Sequence, residues 1–355
     1  MANEMKKAAP FGMKDKVGYM FGDFGNDFTF LLSSSFLMKF YTDVMGVNAA
    51  IVGMVMMIAR FVDAFTDVGM GQIVDHSKPN KDGKFRPWIK RMCGPVAIAS
   101  FLIYQSGLAG MPYGFKVAWL FVTYILWGSI FYTSINIPYG SMASAISSDP
   151  KDRAELSTWR TIGSTLANMV IGVATPMVAY VVVDGKTVMS GSRMTIIAGV
   201  FSICAILCYI VCFKLTGERV EVPASNQKIS ASTIFKSIFT NKALLGIIVA
   251  AIFVLLSQLT VMSLAGYVYP NVYGSAAAQS TASLLGTVVM LVVCAPFASK
   301  LSAKFGKKEL AMGSSIISAL VWLVCLIWRP ASVWGFVACY IPVSYTHLTL
   351  PTIRL

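Results

Sequence analysis

Histidine is nearly absent from this sequence, and charged residues are scarce. Only His76 and His347 occur in 355 residues, and Asp, Glu, Lys and Arg together make up 13% of the chain. The seven cysteines all lie in apolar segments, and three of them recur every fourth residue, at 204, 208 and 212, on one helix face. We interpret them as small packing residues. The sequence therefore predicts no histidine-based catalysis, no catalytic residues and no cofactor.

Long apolar segments make up most of the sequence. Hydrophobic residues make up 56% of the chain, and the mean hydropathy is +0.68. Apolar runs of about 20 residues recur throughout, which is the length that crosses the hydrocarbon core of a bilayer. We expect the first of these segments to be a span and not a cleavable signal peptide. The sequence predicts an all-α polytopic membrane protein with spans at 18–42, 49–74, 89–109, 117–142, 156–183, 194–213, 243–268, 277–298 and 310–328 and a stub from 331.

Basic residues alternate between the predicted loops. Of the 29 Lys and Arg, 21 fall in the N-terminal segment or in every second loop, and the loops between them hold Lys116, Lys186, Arg193 and Arg329. This pattern follows the positive-inside rule with a cytoplasmic N-terminus. The net charge of +13 therefore orients the protein, and we expect no nucleic-acid partner. The predicted location is the inner (plasma) membrane.

The longest polar stretch divides the chain. Residues 214–242 follow six predicted spans, and we interpret them as a cytoplasmic linker between an N-terminal six-helix bundle at 1–213 and a partial C-terminal bundle at 243–343. Residues 344–355 do not continue the last apolar segment. We expect them to be a non-native tail that follows a truncated second bundle. We also expect that the chain as given does not transport. The alternative is a natural protein with nine or ten spans.

Charged residues interrupt the predicted spans. Arg60, Asp63 and Asp67 lie on one face of the second span, because they are separated by three and four residues. A shared face predicts a common aqueous cavity, since each isolated charge is costly in a membrane. One interpretation is packing by ion pairs, with Arg60 paired to Asp23 of the first span. The other is that the surplus acids bind an exchangeable Na⁺ or H⁺.

The fourth span carries a proline within FYTSINIPYGSM. Pro138 cannot donate a hydrogen bond to the carbonyl of Ser134, so we expect a kink there that faces protein or a wet cavity. Thr133 and Asn136 directly precede this position. Asn136 is open to two interpretations, which are an interhelical hydrogen bond and a contact with a solute.

Five motifs in order resemble those of a known family. GYMFGDFGNDF, FYTDVMGV, ARFVDAFTD, GKFRPW and INIPYGSM are similar to motifs of the glycoside–pentoside–hexuronide:cation symporters, the melibiose permease-like family of the major facilitator superfamily. The resemblance covers residues 16 to about 343. It implies the major facilitator fold with two six-helix bundles in the full-length protein. It also implies alternating access, with entry of a small sugar or glycoside coupled to a cation, in a monomer that contacts membrane lipid.

The resemblance also implies roles for individual residues. By position, Asp63, Asp67 and Thr133 match the coupling-cation site, for Na⁺ or H⁺. Asp27 and Arg160 match residues that bind the sugar, and Asn136 joins them as a substrate-binding candidate.

Three departures from melibiose permease bear on specificity. Asn136 replaces an aspartate, Gly140 replaces a tryptophan that stacks on the galactosyl ring, and Thr66 replaces an asparagine between the two cation acids. The first two argue against a galactoside, and the third weakens the case for Na⁺ and leaves H⁺ open.

Two other functions remain as alternatives. One is a transporter of the same fold for another solute such as a lysolipid, although the polar residues Asp27 and Arg160 argue against it. The other is an intramembrane aspartyl protease, which needs acids on two neighbouring spans and a Gly-x-Gly-Asp motif. Residues 20–23 read MFGD instead.

Overall fold

The computed structural model describes residues 9–222, 239–289, 304 and 306–343. It is helical almost throughout, which confirms the all-α polytopic class. The first group of helices comprises α1 (Met13–Lys39), α2 (Ala49–His76), α3 (Arg86–Ile103), α4 (Tyr113–Ile125), α5 (Thr133–Ile146), α6 (Pro150–Ala179) and α7 (Gly191–Leu215). The second group comprises α8 (Lys242–Tyr267), α9 (Ala276–Val289), α10 (Lys307–Trp328) and α11 (Val333–Val343). π-helical segments follow α1 at Phe40–Val44, α4 at Leu126–Tyr132 and α8 at Val268–Val272.

Five membrane-length helices occur within the described ranges. By length and apolar composition they are Ala49–His76, Tyr113–Ile146, Pro150–Ala179, Gly191–Leu215 and Leu244–Val272. The second of these joins α4, the π-helical segment Leu126–Tyr132 and α5 into one continuous helix, so a single predicted span corresponds to three elements. On α2, large apolar side chains such as Phe61 and Phe65 are exposed, as suits a helix that faces lipid.

The predicted span 156–183 is wrong at its end. Helix α6 stops at Ala179, and Tyr180–Val183 forms strand β1, which pairs antiparallel with β2 (Lys186–Met189). The turn between the strands holds Asp184 and Gly185 at positive φ angles of 49° and 72°. An Asp-Gly pair suits such a turn, and the β-branched residues around it favour strands.

Helix α1 lies at the centre of the first group. Sixteen of its residues are buried, including Asp23, Asn26 and Asp27, and it packs along both α6 and α7. Glycines permit this close approach. A methyl group at Gly22 would overlap the ring of Tyr139, and one at Gly163 would overlap the backbone carbonyl of Met20. The packing therefore brings the polar residues of α1 against α5, α6 and α7.

The two groups of helices contact each other at the end where α1 terminates. Lys39 is 1% exposed there. Its ammonium group lies 2.7 Å from Asp43, donates to Asn271 Oδ1 at 2.9 Å and sits 4.7 Å from the ring centre of Tyr267. The hydroxyl of Thr42 also lies 3.0 Å from that of Tyr267. The hairpin adds a bond from the Tyr180 hydroxyl to the Gly266 carbonyl at 3.1 Å.

The start of the predicted linker packs against the opposite, basic end of the first group. Helix α7 continues to Leu215, and Glu218 behind it is 5% exposed. Its carboxylate accepts hydrogen bonds from the backbone N–H groups of Lys84, Phe85 and Arg86, at 2.7 to 2.9 Å. These N–H groups open α3, where a negative charge is favourable. Arg219 forms an ion pair with Asp15 at 2.8 Å.

This segment therefore begins as an ordered cap on the first group of helices. The rest of the predicted linker at 223–238, and the predicted tail at 344–355, lie outside the described residues.

We expect Glu218→Gln to loosen this cap. A glutamine has one acceptor oxygen, and its amide N–H groups would face backbone donors, so the variant should lose about 1–3 kcal/mol. In detergent, the apparent melting temperature should fall by several degrees, since about 1 kcal/mol corresponds to a few degrees. Glu221→Gln is the matched control, because Glu221 is exposed three residues further on. Equal melting temperatures for the two variants would contradict the cap.

Candidate functional site

A cavity of about 490 Å³ lies between the two groups of helices. Helices α1 and α6, the helix that contains α5, and helices α8, α9 and α11 all contribute to its wall. Asp27, Asn136 and Arg160, the three candidates for substrate binding, all line it. The structure thus brings together three residues that are up to 133 positions apart in the sequence, and it places them between the groups.

Arg160 is held in place by α1 and by an aromatic ring. Its Nε donates to Asp23 Oδ1 at 2.8 Å, and its guanidinium lies 5.3 Å from the ring centre of Tyr139. Tyr139 in turn stacks on Tyr19 at 4.6 Å and donates its hydroxyl to the Tyr19 carbonyl at 2.6 Å. This leaves Arg160 oriented, with donor groups on the cavity wall.

The predicted pair of Arg60 with Asp23 is wrong. Arg60 lies 3.0 Å from Asp63, one turn along its own helix, and donates to the Tyr124 hydroxyl at 2.9 Å. Asp23 instead pairs with Arg160. The pair of Arg60 and Asp63 forms within α2 and does not require α1 to come close, because side chains three residues apart are neighbours on a helix.

Asp27 and Asn136 both line the cavity, and Asn136 is linked to α7 through Asn26. Asp27 is 8% exposed, and its Oδ2 has no hydrogen-bond partner among the residues that the structure describes. Asn136 accepts from Asn26 Nδ2 at 3.4 Å, and Asn26 accepts from the Tyr209 hydroxyl at 2.8 Å. Asn136 therefore makes an interhelical hydrogen bond and also lines the cavity, so the two interpretations of this residue are compatible.

The acids of α2 face two hydroxyl groups one helix turn apart. Ser129 donates to Asp63, and Thr133 donates to Asp67 at 2.8 Å. The Thr133 oxygen also lies 3.2 Å from the Gly128 carbonyl, and one hydroxyl proton cannot serve both acceptors fully. When Thr133 donates to Gly128, its lone pairs face the carboxylate, which is favourable only with a cation or a proton between them.

The helix that carries these hydroxyls is irregular before its proline. Leu126–Tyr132 is π-helical, and Pro138 lies inside the regular helix α5 that follows. The expected kink at Pro138 stays a prediction, and the structure adds an irregular segment before Thr133. Single-turn π-helical segments commonly occur at functional sites. Here the segment supplies Ser129 and leads into Thr133.

The acid pair does not line the cavity that Asp27 and Arg160 share. Asp63 is half-buried and Asp67 is exposed, and neither of them lines that cavity. The expectation that Arg60, Asp63 and Asp67 share an aqueous cavity of their own stays a prediction. One helix nevertheless reaches both places. Tyr132 and Asn136 line the cavity, and Ser129 and Thr133 contact the acids.

Two of the sequence departures have a visible consequence. A methyl group at Gly140 would lie 4.0 Å from Arg160 Nη1, so the glycine leaves space beside the guanidinium. The Thr66 hydroxyl donates within its own helix, to the carbonyls of Val62 and Asp63 at 3.2 Å each. It is therefore occupied along α2 and does not extend the row of hydroxyls that face the acids.

Sequence reasoning missed several polar residues of these sites. Ser129 went unnoticed, although it lies four residues before Thr133, just as Asp63 lies four before Asp67. The second group of helices contributes Gln258, Gln279 and Ser283 to the cavity. The two glutamines are isolated amides in apolar helices, and that is a signal that could have found them.

The oxygen atoms around Asp63 and Asp67 indicate which classes of ion could bind there. Among the described residues, no group of three or more His, Cys, Asp and Glu side chains could hold a metal ion. Two carboxylates and two hydroxyls nevertheless form a set of hard oxygen donors, and such oxygen ligands suit hard cations. They also suit a proton, since intramembrane carboxylates commonly serve proton relays.

Comparisons with known proteins agree with the resemblance. The sequence profile of the family "MFS/sugar transport protein" matches residues 18–350. The chain is 32% identical to an uncharacterized symporter, YjmB, of Bacillus subtilis, over 87% of this chain and 66% of the relative. It is 29% identical to the glucuronide carrier protein homolog of Escherichia coli, over 95% and 70%. It is 30% identical to the isoprimeverose transporter of Lactiplantibacillus pentosus, over 86% and 63%.

The chain spans about two thirds of the length of these curated relatives. They are transporters and not enzymes, which confirms the expectation that this chain is not an enzyme and removes the aspartyl protease alternative. The symporter family that the five motifs indicate is confirmed as well. The chain belongs to the MFS/sugar transport family, within the glycoside–pentoside–hexuronide symporters.

Proposed function

We propose that the full-length protein imports a glycoside, pentoside or hexuronide together with a cation, Na⁺ or H⁺, by alternating access in the inner membrane. The observation that carries this proposal is the pair of sites on one helix. Asn136 lines the cavity beside Arg160 and Asp27, and Thr133 contacts the acids of α2. We also propose that the N-terminus and the basic end of the first group of helices face the cytoplasm, and that the protein acts as a monomer surrounded by lipid.

In this proposal the sugar binds in the cavity between the two groups of helices. Arg160 presents a planar fork of donors that suits neighbouring hydroxyls or a carboxylate. Asp27 Oδ2, which has no hydrogen-bond partner within the described ranges, accepts from a sugar hydroxyl. The names of two relatives refer to a glucuronide and to isoprimeverose. A uronic acid and a neutral pentose-containing glycoside are therefore the first substrates to test.

The cation binds between α2 and the π-helical segment. Asp63 already has Arg60 at 3.0 Å, whereas Asp67 accepts a hydrogen bond from the neutral Thr133 hydroxyl. The second carboxylate thus carries the uncompensated negative charge. A cation or proton there neutralises the acid and lets Thr133 turn its hydrogen to the Gly128 carbonyl.

Coupling follows from the electrostatics of this pair. With the site empty, the surplus negative charge opposes a closed and dehydrated arrangement, since burying an unpaired charge is costly. With the cation bound, that cost is reduced. Because the same helix lines the sugar cavity, the rearrangement around Thr133 also moves the wall that contacts the sugar. Each ligand then favours the closed arrangement, which is the condition for symport.

Asp67→Asn should uncouple transport in the full-length protein. The amide can still accept from Thr133 but carries no charge, so uphill accumulation and cation dependence should disappear, while downhill exchange persists. Sugar uptake into vesicles with and without Na⁺ and pH gradients measures this. Asp184→Asn in the exposed hairpin turn is the control. Accumulation by Asp67→Asn with an unchanged response to both gradients would show that the acid is structural.

Thr133→Val should weaken the binding of the cation and leave the binding of the sugar unchanged. It removes one oxygen beside Asp67, and we expect the half-saturating cation concentration to rise about tenfold, as for the loss of one hydrogen-bonding group to a charge. Sugar affinity at saturating cation should stay the same, and Thr133→Ser should restore cation affinity. Thr123→Val is the matched control, because that buried hydroxyl bonds within its own helix to the Trp119 carbonyl at 2.7 Å. A parallel loss of both affinities would argue for a packing role.

Arg160→Ala should abolish sugar binding and leave cation binding at the acid pair intact. If the sugar is a hexuronide, Arg160→Lys should also lose most of its affinity, because an ammonium group lacks the bidentate geometry. Binding measured in detergent for a labelled glucuronide, and separately for ²²Na⁺, distinguishes the two effects. Arg193→Ala, at an exposed position, is the control. Sugar affinity equal to that of the unmodified protein would assign Arg160 to helix packing.

A further inference from the structure

Four buried polar atoms around the cavity have no hydrogen-bond partner among the described residues. They are Asp27 Oδ2, Gln258 Nε2, the Tyr269 hydroxyl and Gln279 Oε1. Buried polar groups are normally hydrogen-bonded, and leaving one without a partner is costly. Their concentration in one cavity indicates that a ligand with several hydroxyl groups supplies the missing partners.

Two of these atoms lie at the far end of the cavity, away from Arg160. Tyr269 belongs to the π-helical segment Val268–Val272, whose Asn271 reaches Lys39 at the junction of the two groups of helices. Gln279 lies in the first turn of α9, 5% exposed. The polar groups of the far end therefore come from the second group of helices, whereas those of the near end, Asp27 and Arg160, come from α1 and α6.

The position of Gln279 is fixed by the contact of α9 with α6. The hydroxyl of the next residue, Ser280, donates to the Val173 carbonyl at 2.9 Å. A methyl group at Gly172 would lie 2.9 Å from the Ser283 side chain, so the helices touch closely at this level. The amide of Gln279 therefore cannot move far from the cavity wall without breaking this contact.

The two ends of the cavity are far apart along α6. Arg160 and Val173 are separated by thirteen positions, which corresponds to roughly 20 Å along a helix axis. The long side chains of Arg160 and Gln279 shorten this gap but do not close it, and a single sugar ring cannot contact both. We propose that Tyr269 and Gln279 form a second polar subsite, which holds the second unit of a glycoside whose first unit binds at Arg160 and Asp27.

This inference rests on the proposed function and narrows its substrate class. A free monosaccharide would occupy the near end only and would leave the far pair without partners. A disaccharide or a glycoside with a polar second unit would satisfy both ends. Because hydroxyl groups both donate and accept, they match an amide and a phenol without a net charge.

The test compares one-unit and two-unit sugars in the full-length protein. Binding in detergent is measured for matched pairs, namely xylose and isoprimeverose, glucose and cellobiose, and glucuronic acid and cellobiouronic acid. The unmodified protein should bind one of the two-unit ligands on the order of tenfold more tightly than its one-unit partner. Gln279→Leu should remove most of that preference by weakening the two-unit ligand alone.

Two further variants keep the test decisive. Tyr269→Phe removes only the hydroxyl and keeps the ring that packs against Phe336 at 5.4 Å, so it should reduce the same preference without unfolding the protein. Gln72→Leu, on an exposed position of α2 outside the cavity, should change nothing. A two-unit preference that survives both Gln279→Leu and Tyr269→Phe would overturn the second subsite and leave the sugar symporter proposal standing. Failure of every sugar to bind to the unmodified protein would overturn both.

Discussion

The ion pair between Arg160 and Asp23 organises the polar interior of the first group of helices. A lone arginine or aspartate within an apolar helix is costly, and the cost is offset only when the partner stands in good geometry. Here the pair joins α6 to α1 at 2.8 Å, and the ring of Tyr139 lies against the guanidinium. Because Asp23 holds the arginine, Asp27 one turn further along α1 keeps an oxygen without a partner among the described residues. The pair thus positions a cation and leaves an acceptor beside it, which is the arrangement that a polyhydroxylated ligand requires.

A second constraint lies in the irregular helix between α4 and α5. The π-helical segment Leu126–Tyr132 changes the register of the side chains that follow it. Ser129 and Thr133 thereby face the acids of α2, while Tyr132 and Asn136 face the cavity. A rigid, straight helix could pass a change from one face to the other only by moving as a whole. A helix with an irregular turn can exchange hydrogen-bond partners locally, as the two acceptors of the Thr133 hydroxyl illustrate. In the proposed symport, this is where occupancy of the cation site and the shape of the cavity wall become dependent on each other.

The sequence predicted the helical class and most helix positions, because long apolar segments are a strong signal in a membrane protein. The family resemblance supplied Asp27 and Arg160, which line one cavity with Asn136. Sequence reasoning failed where the outcome depended on tertiary geometry. Arg60 was expected to pair with Asp23, and only the folded helices show that Asp63 is its partner and that Arg160 pairs with Asp23. The hairpin at 180–189 was hidden by its apolar residues, although Asp184–Gly185 is a recognisable turn. The π-helical segment has no distinctive composition, and Pro138 lies outside it, so the sequence did not indicate this segment. The glutamines of α8 and α9 were visible as isolated amides, but their convergence with Arg160 on one cavity was not.

The junction between the two groups of helices lies next to the far end of the cavity. Tyr267 and Asn271 contact Thr42 and Lys39 of the first group, and Tyr269 between them lines the cavity. Lys39 is buried at this junction, so separating the groups there would remove its hydrogen bond to Asn271, although Asp43 on its own side would remain. A ligand that gives the Tyr269 hydroxyl a partner acts on the same short segment that holds the junction. A ligand shifts a conformational equilibrium only through contacts that differ between the two states. Occupancy of the proposed second subsite is such a contact, because it stabilises the segment Val268–Val272 in the arrangement that keeps this end closed. A one-unit sugar at Arg160 would lack that contact. The preference for a two-unit sugar and the closure of this end of the cavity would therefore both depend on Tyr269 and its segment.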